Sequence, residues 1–378
     1  MPWHRHETTM AHIEHSHLLS PIEVGPLRLS HRVVMAPLTR LRSIVPGDVP
    51  GPLMLDYYSQ RASEGGFIIS EATAISVTGR GYHGAPGIYS EDQVAGWKKI
   101  TNSVHSSGGR MFLQLWHVGR TSHVEMTGGV PPVGPSVVPY EGRAFISSGW
   151  APVSPNRALD VSEIPALLED YYDATRRAHA AGFDGVEIHS GNGYLLDQFL
   201  QDGSNKRMDE YGGPPENRAR LLLEVTRAVI DAWDSQHVAI RVSPGTSFNG
   251  MSDSNPTATF SFVAQSLNKL NLAYLHIIEP RVAGSLELAD GLLPIAAAQM
   301  RQFFKGRIIA AGGFNADSAE GIIAKGDADL VAFGRHFIAN PDLPRRIRLK
   351  ASLNPYDRAT FYGGDRRGYT DYPALADA

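Results

Sequence analysis

Three side chains near the middle of the chain have the types and spacing to act on one small polar substrate. The segment reads Val186-Glu187-Ile188-His189-Ser190-Gly191-Asn192-Gly193-Tyr194. His189 ends a β-like run, Asn192 follows three residues later, and Tyr194 two beyond that. His189 and Asn192 can both donate hydrogen bonds to a carbonyl or nitro oxygen, where negative charge develops when the conjugated system is attacked elsewhere. Tyr194 can supply a proton as general acid. The alternative is a buried, satisfied histidine followed by a turn made of Gly191, Asn192 and Gly193. The Gly191-x-Gly193 pair is not a dinucleotide fingerprint, because position 196 is leucine.

Two further places carry chemistry. Gly312-Gly313 and Gly334-Arg335 each follow an apolar run, where glycine lets backbone N–H groups approach an anion and a following helix turns its positive end toward it. Arg335 can add a charge-assisted contact, so a phosphorylated ligand is favoured over tight turns with a surface arginine. Arg241 sits in the apolar run Val238-Ala239-Ile240-Arg241-Val242. A guanidinium cannot shed its charge, so it must be paired there. Its partner is either an internal carboxylate or electron density on a bound ring, such as the N1–C2=O edge of a reduced flavin.

These residues need a frame that brings strand ends together. Eight short apolar runs, at 32–37, 67–72, 111–115, 185–189, 237–242, 274–278, 307–311 and 330–333, alternate with eight helical patterns. The helical patterns cover 52–64, 91–107, 164–181, 216–233, 257–270, 293–304, 316–325 and 343–353. Near-continuous apolar strands suit a parallel sheet covered on both faces. Eight such units favour closure, so the expected fold is α/β, a (β/α)8 TIM barrel, with its site at the carboxyl ends of the strands. A short hairpin is expected over 18–32, and a Gly- and Pro-rich insertion after strand three, 117–162, is expected as a lid or channel wall. Residues 1–17 are expected as a disordered leader and 18–378 as a single domain.

Composition narrows the function classes. The chain contains no cysteine, which excludes disulfides, thiolate-held iron–sulfur clusters and cysteine nucleophiles. It fits a reducing compartment, and a cytoplasmic location is expected. The formal charge of −4 is spread without blocks, so neither nucleic acid nor a membrane surface is expected as a partner. No metal site is expected; the five histidines in the first seventeen residues are read as part of a polar leader.

Ordered motifs then spell a resemblance. Pro37-Leu38-Thr39-Arg40, Gly81-Tyr82-His83-Gly84-Ala85-Pro86-Gly87, Gln114-Leu115-Trp116-His117-Val118-Gly119-Arg120 and Gly185-Val186-Glu187-Ile188-His189 resemble old yellow enzymes. So do Asn192 to Leu200, Asn205-Lys206-Arg207, Glu279-Pro280-Arg281-Val282, Ala311-Gly312-Gly313-Phe314 and Phe333-Gly334-Arg335. The resemblance runs from about residue 18 to the tail Gly368-Tyr369-Thr370-Asp371-Tyr372-Pro373.

That resemblance implies non-covalent FMN over the carboxyl end of the barrel. Pro37, Thr39, Ala72, Gln114 and Arg241 would contact the isoalloxazine, and Gly313, Gly334 and Arg335 would hold the phosphate. Tyr82, Trp116, Phe361 and Tyr362 would shape the pocket. NADPH or NADH would reduce the flavin, which would then reduce a C=C bond conjugated to a carbonyl or nitro group, with nitrate esters as further acceptors. Thr39 marks the threonine-containing branch. Gly191 departs from the alanine of many members, which puts the placement of Asn192 in doubt. Competing readings are a flavin-free barrel lyase or isomerase acting on a phosphorylated substrate, and a non-catalytic flavin-binding protein.

Overall fold

Each expected strand pairs in parallel with its neighbour, and the last pairs with the first. The computed structural model describes residues 15–283, 286–287 and 296–376. The barrel strands are β1 (Val33–Met35), β2 (Phe67–Ile69), β3 (Arg110–Trp116), β4 (Gly185–Ser190), β5 (Val238–Val242), β6 (Tyr274–Ile278), β7 (Ile308–Ala311) and β8 (Leu330–Phe333). Pairings run from β1 through β8 and return to β1, closing the sheet.

Helices follow the strands: α1 (Pro52–Arg61), α2 (Glu91–Ser106), α3 (Ile164–Ala180), α4 (Leu195–Leu200), α5 (Arg220–Ala232), α6 (Pro256–Leu267), α7 (Ala297–Met300), α8 (Ala316–Ala324), α9 (Arg335–Ala339) and α10 (Leu343–Leu349). Local signals set several starts. Ser90 and Gln93 form a capping box on α2, and Asn255 caps α6 with Pro256 in its first turn. Three expected helices differ. The pattern at 216–233 divides at Ala219 into Pro215–Arg218 and α5. That at 343–353 stops at Leu349 because Lys350 is left-handed (φ 51°). That at 293–304 begins outside the described residues and is helical only over α7.

Strand alternation sorts the side chains. Val33, Ile68, Leu113, Ile188, Ile240, Ile277 and Val331 pack outward in the core shared with the helices. Val34, Ile69, Phe112, Ala239, Tyr274, Ile309 and Ala332 fill the lumen, where Phe67, Phe112 and Tyr274 meet with ring centroids 5.2 to 5.9 Å apart. The segments Ile22–Val24 and Leu27–Leu29 pair antiparallel, and their apolar residues join the lumen cluster. Gly25 makes their turn possible: its φ is 52°, and a Cβ there would stand 2.2 Å from the Gln236 carbonyl oxygen. Most of the expected leader lies outside the described residues. At its end, His15 bonds to Asp317 (2.9 Å) and His17 to Glu320 (2.6 Å).

Above the apolar lumen comes a polar layer. Glu187 accepts from Gln114 Nε2 (2.7 Å) and pairs with His276 Nδ1 (2.8 Å). Arg241 lies in register between His189 and His276 on the neighbouring strands. Burial alone would raise the Glu187 carboxyl, but His276, Arg241 and Gln114 together bring it below its ordinary value. His276 is itself pushed down by burial, with Arg241 adding to the effect against Glu187. The contact is therefore a neutral imidazole donating to a carboxylate, and the carboxylate's charge answers Arg241.

Beside the barrel, buried Glu71 accepts from the Arg40 backbone N–H (3.1 Å) and lies 3.3 Å from the Tyr58 hydroxyl. Burial pushes its carboxyl up to about 7 from 4.5.

Two outcomes follow from these buried acids. Glu187→Gln leaves Arg241 without its anion and should cost about 3–5 kcal/mol in urea unfolding at pH 7; a loss under about 1 kcal/mol would mean that the charge is answered elsewhere. For Glu71 the folded pKa is the higher one, so its contribution is full below about pH 4.5 and is lost as pH rises through about 7. Unfolding free energies from pH 4 to 8 should therefore fall less steeply with pH in Glu71→Gln than in the parent.

Candidate active site

The carboxyl ends of the strands open into a cavity of about 440 Å³, within the usual range for cofactor and ligand sites. Pro37 and Thr39 reach it from the end of β1, Ala72 from beyond β2, and Gln114 from β3. His189 ends the inward row of β4, Arg241 that of β5, and Asn192 and Tyr194 follow on the turn after β4. Gly313, Gly334 and Arg335 line it from the ends of β7 and β8, and Tyr82, Phe361 and Tyr362 from loops. Sequence reasoning thus brought together residues from every part of the chain.

Trp116 stands one layer back. It is not among the residues that line the cavity. Its ring packs edge-on to Tyr194 (5.0 Å) and tilted against Tyr82 (5.5 Å), and so fixes two rings that line the pocket. The sequence missed Trp150, Phe248, Ile278 and Val282, which do line it. Ile278 ends β6 and Val282 lies four residues on, both as apolar side chains that nothing distinguishes from the runs around them, and the other two sit on long connections without periodicity. Trp150 belongs to the 117–162 connection, where Arg143–Ile146 and Gly149–Pro152 form an antiparallel pair. The His83 N–H donates to the Phe145 carbonyl (2.6 Å) and ties that pair to the Tyr82 loop.

The electrostatics assign protonation states. Burial, reinforced by Arg241 and His276, holds His189 well below its ordinary value, so it is neutral and has a single N–H. Its Nδ1 is buried without a protein partner. Tyr194 is pushed well above 10 by burial and by Tyr82, whose hydroxyl lies 3.3 Å away. Both phenols therefore stay protonated at neutral pH. Burial pushes Arg241 down while Glu187 pushes back, and its Nε has no protein partner.

Those groups fit a flavin nucleotide. Gln114 spends its amide nitrogen on Glu187, and Arg241 presents an unanswered donor, so both have capacity left for a polar ring edge. At the other end Gly313 has φ 68°, and a Cβ there would meet nothing nearer than 3.9 Å, leaving a cradle that a side chain would fill. Asn315 caps α8 beside it, and Arg335 lies against Tyr356 across from Gly334. Among the described residues no cluster of acidic and histidine side chains could hold a metal ion, and no helix is long and apolar enough to cross a membrane.

Comparison with known proteins agrees. Residues 17–354 match the model of the NADH:flavin oxidoreductase / NADH oxidase family. The chain is 48% identical over 374 residues to 12-oxophytodienoate reductase 1 of Oryza sativa subsp. japonica, covering 95% of this chain and 93% of that protein. It is 44% identical over 377 residues to flavin oxidoreductase hxnT of Emericella nidulans, covering 94% and 97%. The structure of morphinone reductase in complex with tetrahydroNAD superimposes with a TM-score of 0.88 at 47% identity, covering 96% of this chain and 98% of that one. The old yellow enzyme homologue from Zymomonas mobilis gives 0.91 at 43% identity, covering 95% and 100%. These relatives are oxidoreductases, and a flavin-free lyase or isomerase gains no support from them. The chain belongs to the NADH:flavin oxidoreductase, or old yellow enzyme, family, and is an FMN-dependent oxidoreductase that takes electrons from a nicotinamide donor.

Proposed function

We propose that this protein reduces C=C bonds conjugated to a carbonyl or nitro group, using NADPH or NADH, with His189, Asn192 and Tyr194 as the residues that act on the substrate. The relatives' names carry the substrate class, since one group reduces 12-oxophytodienoate and another morphinone. The observation that carries the reading is the state of the three side chains in one cavity: a neutral imidazole, an amide and a protonated phenol. We assign residues 18–378 as one functional unit acting on small molecules, in a cytoplasmic location with which a chain free of cysteine is compatible.

When bound, FMN supplies the hydride exchange between nicotinamide and substrate. Pro37, Thr39, Ala72, Gln114 and Arg241 would hold its ring, and Gly313, Gly334 and Arg335 its phosphate. His189 and the Asn192 amide bind the substrate's oxygen. Because His189 is neutral, it donates without transferring its proton outright, and the charge that builds on that oxygen meets two oriented N–H groups. Tyr194 gives its proton to the α-carbon, and Tyr82 at 3.3 Å is the nearest hydroxyl from which it can be restored. Tyr82, Phe361, Tyr362 and Trp150 enclose the substrate, with Trp116 behind. Nitro compounds present the same kind of oxygen to the same donors.

The test is one cuvette. The yellow protein should bleach with NADPH under anaerobic conditions and regain its colour on addition of 2-cyclohexenone. In Tyr194→Phe, bleaching should be unchanged within a few-fold while recolouring slows about 10²–10⁴-fold. Recolouring at the parent rate would remove Tyr194 as the acid, and a colourless protein that cannot take up FMN would overturn the whole assignment.

A further inference from the structure

The turn that carries Asn192 and Tyr194 is not held in shape by its own side chains. Asn192 has φ 56° and Gly193 has φ 71°, two successive left-handed residues. Asparagine tolerates that region but does not prefer it. Hydrogen bonds from outside the turn hold it there, among them one from Gln198 Nε2 to the Gly193 carbonyl (2.7 Å). The Asn192 N–H donates to Ser243 Oγ (2.7 Å), and the Gly193 N–H to the Asp197 carboxylate (2.8 Å). Asn249 Nδ2 donates to the Asn192 carbonyl (2.8 Å).

The anchors form a small network of their own. Ser243 Oγ donates to the same Asp197 oxygen at 3.4 Å, and Gln201 Nε2 donates to the other at 2.8 Å. Ser243 and Asp197 are both buried, and neither lines the cavity. They come from different elements: Ser243 follows β5 and Asp197 lies in α4. The turn is therefore pinned between the strand that carries Arg241 and the helix that follows Tyr194.

Gly191 belongs to the same device. A Cβ there would stand 3.0 Å from Ser243 Oγ and 3.1 Å from the Ser243 nitrogen. The absence of a side chain at 191 is what lets Ser243 come close enough to accept from Asn192. The freedom that glycine adds to the backbone is removed again by a hydrogen bond that an alanine would crowd.

We propose that Ser243 and Asp197 are positioning residues that, through the backbone of Asn192 and Gly193, aim the Asn192 amide and the Tyr194 hydroxyl at the substrate. This rests on the roles given to Asn192 and Tyr194 above. Removing the serine hydroxyl takes the acceptor from a part-buried N–H and leaves the left-handed asparagine without one of its anchors.

The test uses the full FMN-loaded chain with Ser243→Ala, and Asp197→Ala as a second variant. Each is reduced with dithionite and mixed with 2-cyclohexenone, and enone binding to the oxidised protein is measured by titration calorimetry. FMN affinity and the visible spectrum are recorded alongside. The expected result is at least a tenfold loss in enone affinity or recolouring rate, with FMN affinity within threefold of the parent. Parent-like handling of the enone by Ser243→Ala would overturn the proposal. So would loss of enone affinity only in proportion to loss of FMN affinity, which is what a merely structural role gives. If Asp197→Ala fails to fold, the serine variant decides alone. A parent protein that holds FMN but neither binds nor responds to the enone would defeat the proposed function itself, and this inference with it.

Discussion

A guanidinium inside a β-barrel is the constraint around which the site is arranged. Arg241 points into a lumen whose lower layers are Phe67, Phe112, Tyr274 and aliphatic side chains. It cannot neutralise itself by losing a proton, so a carboxylate must be buried with it. Glu187, on the adjacent strand, meets that need. Each answer then constrains the next residue. Glu187 takes the Gln114 amide nitrogen, which turns the Gln114 oxygen away from it, and it fixes the His276 ring through Nδ1. Arg241 in turn helps keep His189 neutral. A single buried charge thus sets the donor and acceptor character of a whole ring of side chains beneath the cavity.

The outer wall depends on a second set of buried arginines. Arg40 donates to the carbonyls of Thr360, Phe361 and Gly368, and Arg42 to those of Thr360 and Asp365. Tyr369 stacks on Tyr57 at 4.1 Å, with both guanidiniums over its ring. These contacts fold the C-terminal segment back against α1 and carry Phe361 and Tyr362 to the cavity. Carbonyl groups rather than carboxylates answer most of this charge, and Glu71, whose proton affinity is raised by burial, is a weak counter-ion at acidic pH.

The strands were legible because a barrel covered by helices needs apolar residues on both faces, and that pattern is dense between 32 and 333. The site residues were legible for the complementary reason: His189, Arg241 and Gln114 interrupt such runs, and a polar side chain in an apolar strand demands an explanation. Arg241 had two readings, an internal carboxylate or a bound ring, and the structure is compatible with both, since the Glu187 charge acts on it from the adjacent strand and it also lines the cavity. Trp150 and Phe248 carried no such signal. Their place depends on long connections tied down by single contacts such as His83 to Phe145. Trp116, assigned to the pocket by resemblance, lies behind its lining, with the rings of Tyr82 and Tyr194 packed against it.

Charge balance also bears on the donors that the proposed reaction turns toward the substrate. The charges of Arg241 and Glu187 already offset one another across adjacent strands, so a protonated His189 would be an extra cation in a buried space, and both burial and Arg241 act against it. A neutral imidazole and an amide stabilise a developing oxyanion through oriented dipoles, which need no counter-ion before the reaction starts. The proton then has to come from a group that is neutral while it holds it. A phenol meets that condition, and burial beside Tyr82 keeps Tyr194 in that form across the physiological range. A carboxylic acid in the same place starts from a far lower pKa and would have to be raised by several units to hold its proton at neutral pH. Burial beside Tyr82 acts on a phenol that is already neutral at pH 7, and so suffices to keep the proton on the residue proposed as donor.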